Sequence, residues 1–294
     1  MQTDAQRRKY IQMTESPVEP LICKMAVPTI ISMLITSIYN MADTFFVGRL
    51  GTSATGAVGV VFPLMALIQA VGFFFGQGSG NYISRQLGAQ HRKEAERMAA
   101  TGFFSALCAG CVIMILGLLL RHPLAHLLGA TDTILPYALD YMCIILIGAP
   151  YMTASLVLNN QLRLQGNAVY AMIGLVSGGV LNMALDPLFI FTFGMGIRGA
   201  ALATILSQLV GFCLLLTGVY VSGGIRIRLC LFSPSPARYA DLARGGIPSL
   251  CRQGLASVAV TCLNTAARPY GDAAIAAMSI VSRVSQFAGS AMIG

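Results

Sequence analysis

Charge is scarce in this chain. Only 10% of its 294 residues are Asp, Glu, Lys or Arg, where a soluble domain carries about 25%. Tryptophan is absent, so anchoring at a membrane–water interface falls to the ten tyrosines and to Arg and Lys. Histidine is nearly absent, with His91, His122 and His126 all in polar breaks. No GxSxG, HExxH or Walker sequence occurs, which leaves no enzyme constellation. The first 20 residues are polar and contain no apolar h-region, so no cleaved signal peptide is expected. The eight cysteines lie mostly inside apolar runs. Cys108 and Cys111 have CxxC spacing but no histidine partner, so packing is favoured over metal or redox use. A net charge of +8 suggests nucleic acid. The basic residues sit in breaks between apolar runs rather than on one face, which argues against nucleic acid.

Apolar residues are abundant: 56% of the chain is hydrophobic and the mean hydropathy is +0.73. Eight apolar segments follow, roughly 25–46, 54–83, 98–120, 135–158, 168–193, 199–221, 246–267 and 273–294. Each approaches the length of about 20 residues that spans a bilayer. Breaks between them carry Gly51, Gly88, His122-Pro123, Gly166-Asn167, Gly194 and Gly196, Gly223-Gly224 and Gly271-Asp272. Thirteen of the nineteen Lys and Arg fall on the side of the N-terminus and four on the other. Arg252 and Arg283 lie within runs. This bias predicts a cytoplasmic N-terminus in a plasma (inner) membrane.

An internal repeat has an offset of 220 residues. It pairs Pro28 with Pro248, Gly51 with Gly271, Ala54 with Ala274, Ala57 with Ala277 and Val61 with Val281. Six segments separate the copies, so both insert in the same direction, a parallel repeat of six-helix units. The expected fold class is an all-α membrane protein, a polytopic helical bundle. It comprises a cytoplasmic segment over 1–20, a six-helix N-lobe over 21–240, and the first two helices of a second lobe over 241–294. On this reading the second lobe is incomplete by about four helices, and each repeat proline marks a helix start.

Of the eleven acids only Asp43, Asp140 and Asp186 fall in apolar segments. Asp140 reads as interfacial, after Thr131-Asp132-Thr133 and Pro136. Asp43 follows about 18 mostly apolar residues, and a carboxylate at a helix centre costs roughly 2.5–3.5 kcal/mol on insertion scales. Asp186 lies in Leu181-Asn182-Met183-Ala184-Leu185-Asp186-Pro187. Asn182 and Asp186 are four apart and share a helix face. Pro187 removes a backbone donor beside the acid. Two such acids and an amide suit a proton or a hard cation, which takes oxygen ligands. Gly72-xxx-Gly76-xxx-Gly80 and Gly174-xxx-Gly178 are stripes for close helix approach.

At these residues the sequence resembles the multidrug and toxic compound extrusion (MATE) family of secondary transporters. The resemblance rests on Pro28, on Tyr39-Asn40-Met41-Ala42-Asp43-Thr44-Phe45-Phe46-Val47-Gly48-Arg49-Leu50-Gly51, and on Ile83-Ser84-Arg85-Gln86-Leu87-Gly88-Ala89. It extends through the Asn182–Asp186 segment, Gly199-Ala200-Ala201-Leu202-Ala203-Thr204 and Gly246-Ile247-Pro248. It implies two six-helix lobes and export of amphipathic, cationic drug-like compounds in exchange for H+ or Na+. No cofactor is implied, the lipid bilayer is the surrounding partner, and the full-length protein is expected to be a monomer. Matching motif to motif places the cation or proton site at Asp43, Asn182, Asp186 and Thr204, with Na+ at the same residues if sodium couples. The absence of an acid between Gly246 and Ala267 favours a DinF-like over a NorM-like branch. A flippase of lipid-linked precursors, an intramembrane enzyme and a passive channel are the alternatives.

Overall fold

Long apolar runs become long helices, because inside a bilayer a backbone must satisfy its own N–H and C=O groups. The computed structural model describes the backbone of residues 18–225 and 227–293 and the side chains of 26–225 and 227–285. The expected cytoplasmic segment up to residue 17, with Arg7, Arg8 and Lys9, and also Arg226, lie outside the described residues. The helices are α1 (Val18–Gly48), α2 (Thr52–Gly88), α3 (Arg92–Leu119), α4 (Arg121–Leu127) and α5 (Leu135–Leu164). After them come α6 (Ala168–Pro187), α7 (Gly196–Val221), α8 (Pro236–Ala267) and α9 (Asp272–Ile293). Among the described residues there is no strand.

Six helices are long and apolar enough to cross a membrane among the described residues, with mean hydropathy from 1.4 to 2.4. Eight were expected; of the other two, α9 has side chains described only to residue 285, too few to count here. α8 has the length, about 48 Å at 1.5 Å per residue, but Arg238, Asp241, Arg244 and Arg252 dilute its apolar content. It starts at Pro236, so the lobe boundary expected at residue 240 falls inside it. The repeat prolines are also corrected. Pro28 and Pro248 lie inside α1 and α8, not at their starts. The residues ahead of each extend the helix by about three turns, and one missing N–H is tolerated when neighbouring groups take over the freed carbonyl.

Burial divides the helices by role. About two thirds of the apolar windows of α2 and α5 are enclosed, against 28% for α1, α3 and α6. α5 is therefore the axis of the bundle, packed by α2, α3, α6 and α7. The outward rows, such as Val112, Ile115, Leu116 and Leu119 of α3, are exposed and suited to lipid. Lipid is as apolar as leucine, so these helices associate by close packing rather than by hydrophobic exclusion. The glycine stripe of α2 shows how. A Cβ on Gly72 would stand 2.8 Å from Leu156 Cδ1 and one on Gly76 2.9 Å from Asn160 Nδ2, while one on Gly80 would collide with Leu164. Leu156, Asn160 and Leu164 are successive turns of α5. Gly174 and Gly178 of α6 meet Gly211 and Leu215 of α7 in the same way.

The repeat is visible in backbone geometry. Gly51 (φ 124°) and Gly271 (φ 87°) both take a left-handed conformation closed to most L side chains. Each stands immediately before a helix, α2 or α9. Gly59 and its repeat mate Ser279 touch, a Gly59 Cβ falling 2.6 Å from that of Ser279. Contact between equivalent residues is what a two-fold axis produces. α1 packs on α9, and α8 packs more extensively on α2. Hydrogen bonds from Ser257 Oγ to the Pro63 carbonyl (2.7 Å) and from Asn264 Nδ2 to the Gly59 carbonyl (3.1 Å) hold α8 to α2. At the other end of the helices from Gly246, Asp272 accepts from Thr131 (2.7 Å), Thr133 (2.6 Å) and Ser53 (3.1 Å). These donors, Thr133 foremost, hold its carboxyl below the usual range.

Candidate cation site

Three helices carry the four residues singled out from the sequence. Asp43 is on α1, Asn182 and Asp186 on α6, and Thr204 on α7. α6 packs against both α1 and α7. The four are 5%, 1%, 0% and 5% exposed in that order, so Asp43 is enclosed by protein although it lies near the end of its helix. One turn separates Asn182 from Asp186, and Asn182 Nδ2 donates to Asp186 Oδ1 at 3.3 Å. Immediately after Asp186 the α-helix ends at Pro187 and the chain continues as a π-helical turn, Leu188–Thr192. The missing N–H of Pro187 sits where the helix loosens. Thr204 donates to the Ala200 carbonyl (3.0 Å).

α1 and α6 pack together and carry both enclosed carboxylates. Asp43 Oδ1, Asn182 Oδ1 and Asp186 Oδ2 are enclosed without a hydrogen-bond partner. An unsatisfied buried polar atom costs about 1–3 kcal/mol, and more when charged. All three are acceptors. Three acceptor oxygens lacking a donor, two of them on mutually repelling carboxylates, form an arrangement completed by a proton or a hard cation.

Comparison with known proteins fits this architecture. The family profile described as MatE matches residues 28–188, the stretch from α1 through Asp186. The chain belongs to the MatE family. Multidrug export protein MepA of Staphylococcus saprophyticus is 30% identical over 264 residues, which are 89% of this MatE chain and 58% of that protein. The inward-facing conformation of a multidrug resistance MATE family transporter of the MOP superfamily superposes with a TM-score of 0.83 at 31% identity, covering 93% of this chain and 63% of that one. An outward-facing conformation described in the same words gives 0.80 at 30% identity, covering 96% and 66%. The MatE chain thus spans less than two thirds of these relatives. They are named as exporters or transporters, not as enzymes.

Three further groups lie beside these residues in the MatE chain: Tyr39, Tyr141 and Arg283. Tyr39, four residues before Asp43, pairs with Gln208 of α7 at 3.5 Å, and its spacing was a usable signal. Tyr141 was grouped with the interfacial tyrosines but is fully buried. Arg283 was noticed only as a charge in an apolar run. It binds Asn40 across the two repeat units. Asp140 stays apart: it forms an exposed ion pair with Arg198 (2.9 Å) in a surface cavity of about 660 Å³ shared with Arg121 and His122.

Proposed function

We propose that this MatE chain serves secondary antiport. A proton or Na+ taken up at Asp43, Asn182, Asp186 and Thr204 drives export of amphipathic, cationic drug-like compounds through a bacterial plasma membrane, with the N-terminus cytoplasmic. The supporting observation is the trio of enclosed, donorless acceptor oxygens on α1 and α6. The names of the MepA and MATE relatives support the export half of the reading. No cofactor is needed, because the coupling ion is cargo, and a monomer in lipid suffices.

The coupling follows from α1. Ser32, Thr36, Asn40 and Thr44 each back-bond to the carbonyl four residues earlier, a continuous stripe that starts at Pro28. Such bonds soften and bend a helix. Neutralising Asp43 removes a charge from the end of a helix built to bend, which changes how α1 sits against α6 and α9. Ion and substrate then weaken one another's binding by linkage, typically 5–150-fold. The test is ion-driven efflux from vesicles carrying the protein. Asp43→Asn is expected to abolish the dependence of efflux on the ion gradient, and unchanged gradient dependence would overturn the site assignment.

A further inference from the structure

Arg283 is a charge that the cation site leaves unused. It lies on α9 and is 4% exposed. One guanidinium nitrogen, Nη1, donates to Asn40 Oδ1 at 3.0 Å, and Cζ stands 4.8 Å from the centre of the Phe62 ring. The other terminal nitrogen, Nη2, is enclosed with no acceptor. One turn earlier on α9, Ser279 Oγ is enclosed and unpartnered too. Asn40 precedes Asp43 by three residues, so the group that holds Arg283 is a helix neighbour of the carboxylate. α9 packs on α1, and through Asn40 the guanidinium is fastened one helical turn from Asp43. The two make no hydrogen bond, and Asp43 Oδ1 has no donor either. A buried cation short of an acceptor and a buried anion short of a donor, each within the other's field, are an ion pair left open. Leaving either uncompensated is costly.

We propose that Arg283 is a tethered rival of the coupling cation: its guanidinium and the transported ion exclude each other from the Asp43 carboxylate. This rests on the cation-site reading above. Without an ion, Nη2 turns to Asp43 Oδ1 and draws α9 toward α1. When an ion arrives, Asn40 alone retains the guanidinium. Because α1 belongs to the first repeat unit and α9 to the second, ion occupancy sets the contact between units. The other titratable groups around Asp43 are Tyr39 on α1, Tyr141 on α5 and Asp186 on α6. None of them is a cation, so they cannot take this part. The repeat mate of Arg283 is Pro63, which leaves the device one-sided.

Equilibrium binding of 22Na+ and uptake of H+ by the whole chain in nanodiscs test this. Arg283→Gln should tighten cation binding about tenfold, the scale of one unit charge at a nearby buried site. Arg283→Lys should stay near wild type, and Asn40→Ala should weaken binding several-fold by releasing the guanidinium toward Asp43. In an Asp43→Asn background Arg283→Gln should change nothing. If Asp43→Asn itself leaves cation binding intact, or the wild type binds neither ion, the site reading fails and this proposal with it. If Asp43→Asn abolishes binding while Arg283→Gln leaves the affinity unchanged or lower, this proposal alone is overturned. Should Arg283→Gln not fold, Asn40→Ala decides, because an unchanged affinity there contradicts the tether.

Discussion

A carboxylate inside a membrane helix is compensated by its neighbours or not tolerated. Asp43 and Asp186 compensate each other poorly, being alike in charge, and Asn182 supplies only one donor between them. Asn182 holds Asp186 and keeps an unpartnered acceptor of its own, which on the proposed reading would face the ion. Asn182→Ala should weaken cation binding 10–100-fold, the usual scale for losing a ligand-orienting group, and lower stability by about 1–3 kcal/mol, because the buried Asp186 Oδ1 loses its donor. Equilibrium 22Na+ binding beside a melting curve checks this. These three residues were legible in the sequence because polar groups are rare in apolar runs. Thr204 came from resemblance alone. Tyr141 and Arg283 were not legible: about 100 and 240 residues from Asp43, they reach it only once α5 and α9 have packed, and no spacing rule spans such distances.

Helices meet here where side chains are small. The stripe Gly72, Gly76 and Gly80 could be read from its four-residue period, but its partner could not, because any helix face can fill such a groove. The structure shows α5 as that partner. Asn160, against Gly76, also accepts from Gln77 (3.2 Å) and Arg163 (2.9 Å). Gly76→Leu should thus lower stability by about 1–3 kcal/mol, as overpacking does, seen as a lower thermal midpoint in detergent. Gly88→Ala, with nothing within 4 Å of the added Cβ, should stay within about 0.5 kcal/mol of wild type. The prolines misled for a related reason. Proline excludes one N–H, not the helix around it, so Pro28 and Pro248 mark an interior point of α1 and α8. Where α9 begins, Asp272 joins Thr131, Thr133 and Ser53, and its carboxyl is held below the usual value of about 3.9. A lowered folded-state value means stability that is present above pH of about 4 and lost as pH falls through the folded value. Thermal melts across acid pH should show that loss in the wild type and a flatter profile in Asp272→Asn.

The whole molecule is a repeat whose halves are unequal in chemistry. The contact of the repeat mates Gly59 and Ser279 and the paired left-handed turns at Gly51 and Gly271 are shared. The acids are not. The repeat mate of Asp43 is Leu263, half-exposed on α8, and the one buried charge α9 contributes is the cation Arg283. Membrane class and repeat offset were readable from hydropathy and from matched Pro and Gly positions. Which helices lie deepest in the bundle was not, since every segment is apolar and only packing separates the enclosed α2 and α5 from the more exposed α1, α3 and α6. On the proposed reading one cation is shared between α1 and α6. The most direct measurement is cation uptake, as 22Na+ and as H+, by the reconstituted chain and by Asp43→Asn and Asp186→Asn. The wild type should take up the cation and each single substitution should abolish uptake. Full uptake by both variants would contradict a shared site.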